Sequence, residues 1–410
     1  MRALTAALTI PLTLGLGLLG AGMLGSLAGC QSSSGKVAVP PPPLITYAPV
    51  AAADAAAIAN DLVATLRACT PARLAALLDI EAMAIRAGHG ARPASGNGSG
   101  SGSAIDIEAR VTTARDQTAR EVCNRTRDAE VTLLPDRTPR PRPLLRLAFA
   151  DGTFNYLELE VARRSSDSAV RVVDVTSYAT GEAASTTYAR LYGDSAASRT
   201  PEGRRGRAAI SEAQRRLGNQ DISGARATFR TIPDDVRRDK AVRVLDMQIA
   251  MYESDDAHRA ALAAFQRDFP EDPALDLHEL DAMALRADYA GALVVLERLD
   301  RRVGGDPFLQ AMRALMLAGA GKPVEAEAAA RLATTAEPTS SAGWQVRCHL
   351  VLARRDFTAL AGLLTESASR RGAPLDLRRL RGAAGWAEFV TSAAGAPWAL
   401  AGTTPAPPSP

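Results

Sequence analysis

The chain has 410 residues, of which 47% are hydrophobic, 23% charged and 4% aromatic. That length fits two or three domains, and the apolar share excludes wholesale disorder. The 48 Lys and Arg against 45 Asp and Glu leave a net charge of +3, which argues against a dedicated nucleic-acid binder, whose affinity needs a basic face. With so few aromatics, Ala and Leu must do the packing, and both favour helices.

Met1 and Arg2 open the chain, and no charge follows from Ala3 to Leu27. This apolar run is long enough to span a bilayer. Its many glycines and Pro11 weaken a spanning helix, so residues 1–29 read as a secretory signal. The run closes on Leu27-Ala28-Gly29-Cys30, and the polar Gln31-Ser32-Ser33-Ser34 follows directly. This resembles the lipobox of bacterial lipoproteins. The resemblance implies that the Cys30 thiol receives a diacylglycerol, that the chain is cut before Cys30, and that the new amine is acylated. Two or more acyl chains anchor firmly to a membrane. Gln31 in place of Asp implies sorting to the outer membrane of a Gram-negative cell, facing the periplasm. Residues 30–50, with Pro40-Pro41-Pro42-Pro43, read as an extended tether.

Residues 51–195 read as an α+β domain. Ile58, Leu62 and Leu66 recur every four residues in a helix from Ala51 to Ala68. Thr70-Pro71 starts a second helix that runs to about Ala87, with Leu74, Leu77, Leu78, Ile80 and Met83 inward. Residues 88–103 are Gly/Ser-rich and form a flexible loop; a phosphate-binding loop would need a following Lys-Ser/Thr, which is absent. A third helix covers about Ile105 to Arg125. The period then changes to strands at Val131–Leu134, Leu144–Phe149, Phe154–Val161 and Val170–Tyr178, with Asp151-Gly152 as a tight turn. Val173 and Val175 are expected on one face of the last strand, against Val172, Asp174 and Tyr178. A closing helix is expected from Ser185 to Tyr192. Three helices before an antiparallel meander resemble the nuclear-transport-factor-like domains. That resemblance implies a curved sheet able to hold a small ligand or cell-wall fragment, with Tyr156, Glu158, Asp174 and Tyr178 on one sheet face as the candidate pocket. The plainer reading of these four is the wet face of a half-exposed sheet.

Residues 200–373 are repetitive. Ala225, Ala261, Ala292, Ala326 and Leu360 each precede Phe229, Phe265, Leu296, Ala330 and Leu364 by four residues. Steps near 34, with Pro233, Pro270, Pro307, Pro338 and Pro374 near the block ends, resemble the tetratricopeptide repeat. The resemblance implies an all-α helical solenoid that binds a protein or peptide partner along a groove lined by first helices; Arg313, Gln345 and Arg347 lie on these helices, and the plainer reading of the arginines is a solvated helix face. Trp344 and Cys348 fall where that repeat places a bulky and a small residue. Residues 374–392, with Trp386 and Phe389, are expected to cap the open end, as solenoids require. Residues 393–410 read as a loose tail.

Besides Cys30, the chain holds Cys69, Cys123 and Cys348. An exported protein meets an oxidising compartment. Cys69 and Cys123 end the first and third helices and can be bridged, closing a loop of ~55 residues with about 4 kcal/mol of chain entropy; the alternative is two buried thiols. Cys348 reads as a buried thiol. His89 lies in the Gly/Ser loop and His258, His278 and His349 in the repeats. None has the spacing of a metal site, and no nucleophile elbow is present. No cofactor, metal site or catalytic residue is expected. The function expected is a non-catalytic, membrane-anchored adaptor in an envelope assembly. A ligand-binding lipoprotein is the first alternative and an enzyme of unrecognised type the second.

Overall fold

The computed structural model describes residues 46–86, 104–135, 142–149, 152–186 and 200–398. The lipobox with Cys30, most of the tether, the Gly/Ser stretch 88–103 with His89, the end of the expected closing helix and residues 399–410 lie outside them. The chain is an α+β region with an antiparallel sheet, followed by many helices. It divides into two compact units, one reaching Leu275 and the other starting at Asp276.

The α+β region opens with strand β1 (Tyr47–Ala48) and helices α1 (Ala52–Ala68), α2 (Pro71–Leu77), α3 (Ile80–Arg86) and α4 (Ala104–Thr126). Helix α1 buries Ala55, Ala59, Leu62, Val63 and Leu66, a stripe at three- and four-residue spacing. The second helix expected through Ala87 is broken in two. Leu78 bridges Val172, and the Asp79 amide donates to the Val172 carbonyl at 2.9 Å. The Asp79 carboxylate then accepts the Ala82 amide at 3.0 Å and caps α3. A bond to the sheet thus replaces a turn of helix, although Leu74, Leu77, Leu78, Ile80 and Met83 are all buried.

The strands are β2 (Ala129–Leu133), β3 (Leu144–Phe149), β4 (Phe154–Arg164), β5 (Val170–Ser177) and β6 (Glu182–Ala183), antiparallel in the order β2-β3-β4-β5-β6, with β1 also paired to β4. Val131, Leu145, Leu147, Leu157, Leu159 and Val175 pack with the helical Leu62, Leu66, Leu74 and Leu77 in one core. The pairing of β4 and β5 shifts at Glu160/Val161: Glu160 faces Asp174, and Val161 faces Val172. Val173 is the extra residue of this bulge. The shift brings Val172 into the main core, whereas Val173 packs with Tyr47, Ala82 and Ala162. The alternation expected for Val172, Val173 and Val175 therefore fails at one residue. Beyond β5 the chain turns at Gly181, whose φ is +65°. A Cβ there would meet the Asp272 carboxylate, and the Lys240 ammonium donates to the Gly181 carbonyl at 2.9 Å.

The remaining helices come in pairs: α5 (Pro201–Gly218) with α6 (Ile222–Phe229), α7 (Lys240–Glu253) with α8 (Asp255–Asp268), α9 (Pro273–Leu285) with α10 (Tyr289–Val303), α11 (Pro307–Gly319) with α12 (Pro323–Ala336), and α13 (Ser341–Ala353) with α14 (Phe357–Arg371). The second helix of each pair starts 33 or 34 residues after that of the pair before. One local device repeats. Gln220, Ala287, Gly321 and Arg355 adopt positive φ, and the residue after each is the N-cap of a second helix. Asp221, Asp288 and Asp356 accept the amides of Gly224, Gly291 and Ala359. Lys322 holds the same place without a side-chain cap. In the second pair Ser254 is extended and accepts the Ala257 amide at 3.1 Å.

Counted from these caps, the fourth helical residue is Ala225, His258, Ala292, Ala326 and Leu360. All five are buried. The second anchor is thus His258, one turn before Ala261, because Ser254 fixes where α8 begins. Ala261 is buried as well, so apolar spacing alone does not separate the two. After α14, short helices α15 (Arg378–Arg381) and α16 (Trp386–Thr391) bring Leu380, Trp386 and Phe389 onto Trp344, Cys348, Leu360 and Leu364.

Candidate functional site

The sheet register puts Tyr156, Glu158, Asp174 and Tyr178 on one face. Glu158 pairs with Thr176 and Glu160 with Asp174, so positions 156, 158 and 160 share a face with 174 and 176. The Tyr178 amide donates to the Tyr156 carbonyl and extends that face by one residue. The two tyrosines do not line an open cavity mouth. Both are buried, with ring centroids 5.8 Å apart at 60°, and Phe154 stands edge-on to Tyr156 at 5.9 Å. Such edge-to-face rings are a packing arrangement.

The carboxylates of this face form a connected row. Arg142 approaches Glu158 at 3.4 Å and Glu160 at 3.5 Å. Arg86 donates to Glu160 at 2.6 Å and approaches Asp174 at 3.4 Å. Asp174 is 4% exposed. Its Oδ1 accepts the amides of Val175 and Ser185 at 2.9 and 3.2 Å, and its Oδ2 accepts the Ser185 hydroxyl. Its oxygens are therefore taken by the protein itself. The Arg86 hydrogen bond holds the Glu160 carboxyl below its ordinary range. Glu160, Arg86 and Arg142 escape the sequence reading. The continued alternation from Glu158 marks Glu160, whereas Arg86 comes from a helix and Arg142 from the segment before β3, which no local pattern connects to this face.

The second buried carboxylate site lies in the helical unit that begins at Asp276. Asp276 is 1% exposed. It accepts Arg298 Nε at 2.5 Å and Arg302 Nε at 2.7 Å, both from α10, and Arg298 also pairs with Glu279. One turn separates the two arginines, so both reach one carboxylate on the facing helix.

On the first helices of the last two pairs, Arg313 is exposed, Gln345 is buried, and Arg347 is half-buried. Arg347 lies 5.2 Å from the centroid of the Trp344 ring, and its Nη1 donates to the Thr334 hydroxyl at 3.4 Å. Of these three residues, only Arg313 is exposed. Burial pushes the Cys348 thiol up to about 12, which leaves it protonated and inert near neutral pH. Among the described residues no group of three or more His, Cys, Asp and Glu is placed to hold a metal ion. Among them also, no helix is long and apolar enough to cross a membrane. No protein-family model, no curated protein and no solved structure matches the chain.

Proposed function

We propose that this protein is an exported, lipid-anchored adaptor whose helical hairpins receive a segment of a partner protein. The observation that carries the reading is the regular step of the second helices, 33 or 34 residues, with a buried anchor at the same place after each N-cap. A tetratricopeptide-like array has this step. Its first helices present side chains at fixed intervals, a geometry suited to an extended peptide and not to turnover of a small substrate. The lipobox-like Leu27-Ala28-Gly29-Cys30 supplies the anchor, and the Pro-rich tether holds the nuclear-transport-factor-like domain away from the bilayer. The sheet face of that domain adds little to a ligand-binding reading, because its acids are already matched by Arg86, Arg142 and Ser185.

The test uses the full chain in an envelope-bearing bacterium, with a photo-crosslinking residue at one surface position at a time. Substitution of Arg313, on a first helix, is expected to trap one discrete protein partner. Substitution of Val294, exposed on a second helix, is expected to trap none. Equal trapping at both positions, or at neither, overturns the adaptor reading. Cys30→Ser is expected to move the protein from the membrane to the soluble fraction.

A further inference from the structure

The ends of α1 and α4 meet at a pair of cysteines. Cys69 closes α1: its amide donates to the Leu66 carbonyl at 3.1 Å, and the next amide, Thr70, donates to the Thr65 carbonyl at 3.2 Å. Those two bonds go with the left-handed backbone of Cys69, φ +46°, which ends the helix. Cys123 lies one turn before the end of α4 and is completely buried. Both belong to the same apolar core, Cys123 within it and Cys69 packed against it, with Leu62, Leu66 and Val131, and both are free thiols in this structure. Cys348 belongs to a different core, beside Trp344 and Leu364.

We propose that Cys69 and Cys123 are the two halves of a structural disulfide, formed by exchange with a disulfide-carrying oxidoreductase after export. The pairing rests on the shared core at the two helix ends, and the supply of oxidant rests on the export reading above. Cys69 is partly exposed and Cys123 is not, so Cys69 meets the carrier first. Its thiolate attacks one sulfur of the carrier disulfide and expels the other as a thiolate, leaving a mixed disulfide. Cys123 then loses its proton, and its sulfur attacks the Cys69 sulfur. The bond between Cys69 and the carrier breaks, and the carrier leaves with two electrons as a dithiol. Cys123 cannot start the exchange: burial first, then the neighbouring Cys69 thiol, pushes its thiol up to about 12. The finished bond closes a loop of ~55 residues that includes the Gly/Ser-rich stretch 88–103, the segment with the most unfolded freedom to remove.

The experiment takes the purified full chain, equilibrates it with oxidised glutathione, blocks free thiols and digests with trypsin without reduction. The expected product is peptide Ala68–Arg73 linked to peptide Glu121–Arg125, which disappears on reduction. The midpoint of thermal unfolding is expected to fall on reduction. Cys69→Ala should abolish that difference, and Cys348→Ala should keep it. Recovery of Cys69 and Cys123 as free alkylated thiols after oxidation overturns the proposal, as does a Cys69 linked only to glutathione or to Cys30. A linked pair in the purified chain with free thiols in the cell overturns the export reading and leaves the pairing standing.

Discussion

The two buried aspartates of this protein are held by different means. Asp174, on the sheet, is satisfied chiefly by the chain around it: two amides, one hydroxyl and a distant arginine. Asp276, on a first helix, is satisfied by two guanidinium groups from the facing helix. A strand exposes its own amides to a side chain only at irregularities such as the bulge at Val173 and the turn before Ser185. Asp276 lies in the first turn of its helix, but the amides of Ala274 and Leu275 there already donate to Asp272, so this buried acid takes side-chain donors from a neighbour. The α+β region is specified by a few non-local coincidences, and the hairpins by a local device used again and again.

The largest test of this comparison is at Asp276. Replacing Arg298 and Arg302 together by Met strands a buried carboxylate and is expected to cost about 3–5 kcal/mol in denaturant unfolding. Tryptophan fluorescence reads it directly, because Trp344, Trp386 and Trp398 all lie beyond Asp276. Asp174→Asn keeps one acceptor oxygen for the amides and should cost about 1–3 kcal/mol. A loss as large as that at Asp276 would erase the distinction between the two sites.

The repeated cap gives a medium effect of predictable sign. Asp288→Ala removes the acceptor for Gly291 and should destabilise by about 1 kcal/mol, while Lys322→Asp supplies the missing member of the series and should stabilise by about 0.5–1 kcal/mol. Thermal unfolding of the two variants checks this, and a Lys322→Asp protein no more stable than the parent would show that the hairpins are not equivalent at their turns.

The smallest effect is the pH dependence of the sheet row. The Arg86 hydrogen bond depresses the Glu160 carboxyl. A depressed folded value means that its stabilising share is complete above the ordinary carboxylate range and is lost as pH falls through the folded value. Glu160 and Arg86 are each about one third exposed, so solvent screening limits this share to about 0.5 kcal/mol. Glu160→Gln should flatten the acid limb of the stability profile by that amount. An unchanged limb would remove Glu160 from the row.

Much of the fold is legible in the sequence. Helix α1 follows from leucines at four-residue spacing, and strand β3 from a short apolar run. Tyr156, Glu158, Asp174 and Tyr178 share a face because strands alternate with period two on either side of a turn. What escapes is decided by contact between segments. Leu78 and Asp79 leave the helical pattern because Val172 offers a carbonyl. His258 takes an anchor place because Ser254 caps α8. Arg86 and Arg142 reach Glu160 from separate segments.

By itself, then, the sequence determined where most helices and strands form and the step of the hairpins, because these depend on spacing within one or two turns. Only the tertiary structure decided which acids are buried, where β5 bulges, and that Cys69 and Cys123 pack into one core. Those outcomes depend on groups far apart in the chain competing for the same few donors, acceptors and volumes, and local periodicity carries no record of that competition.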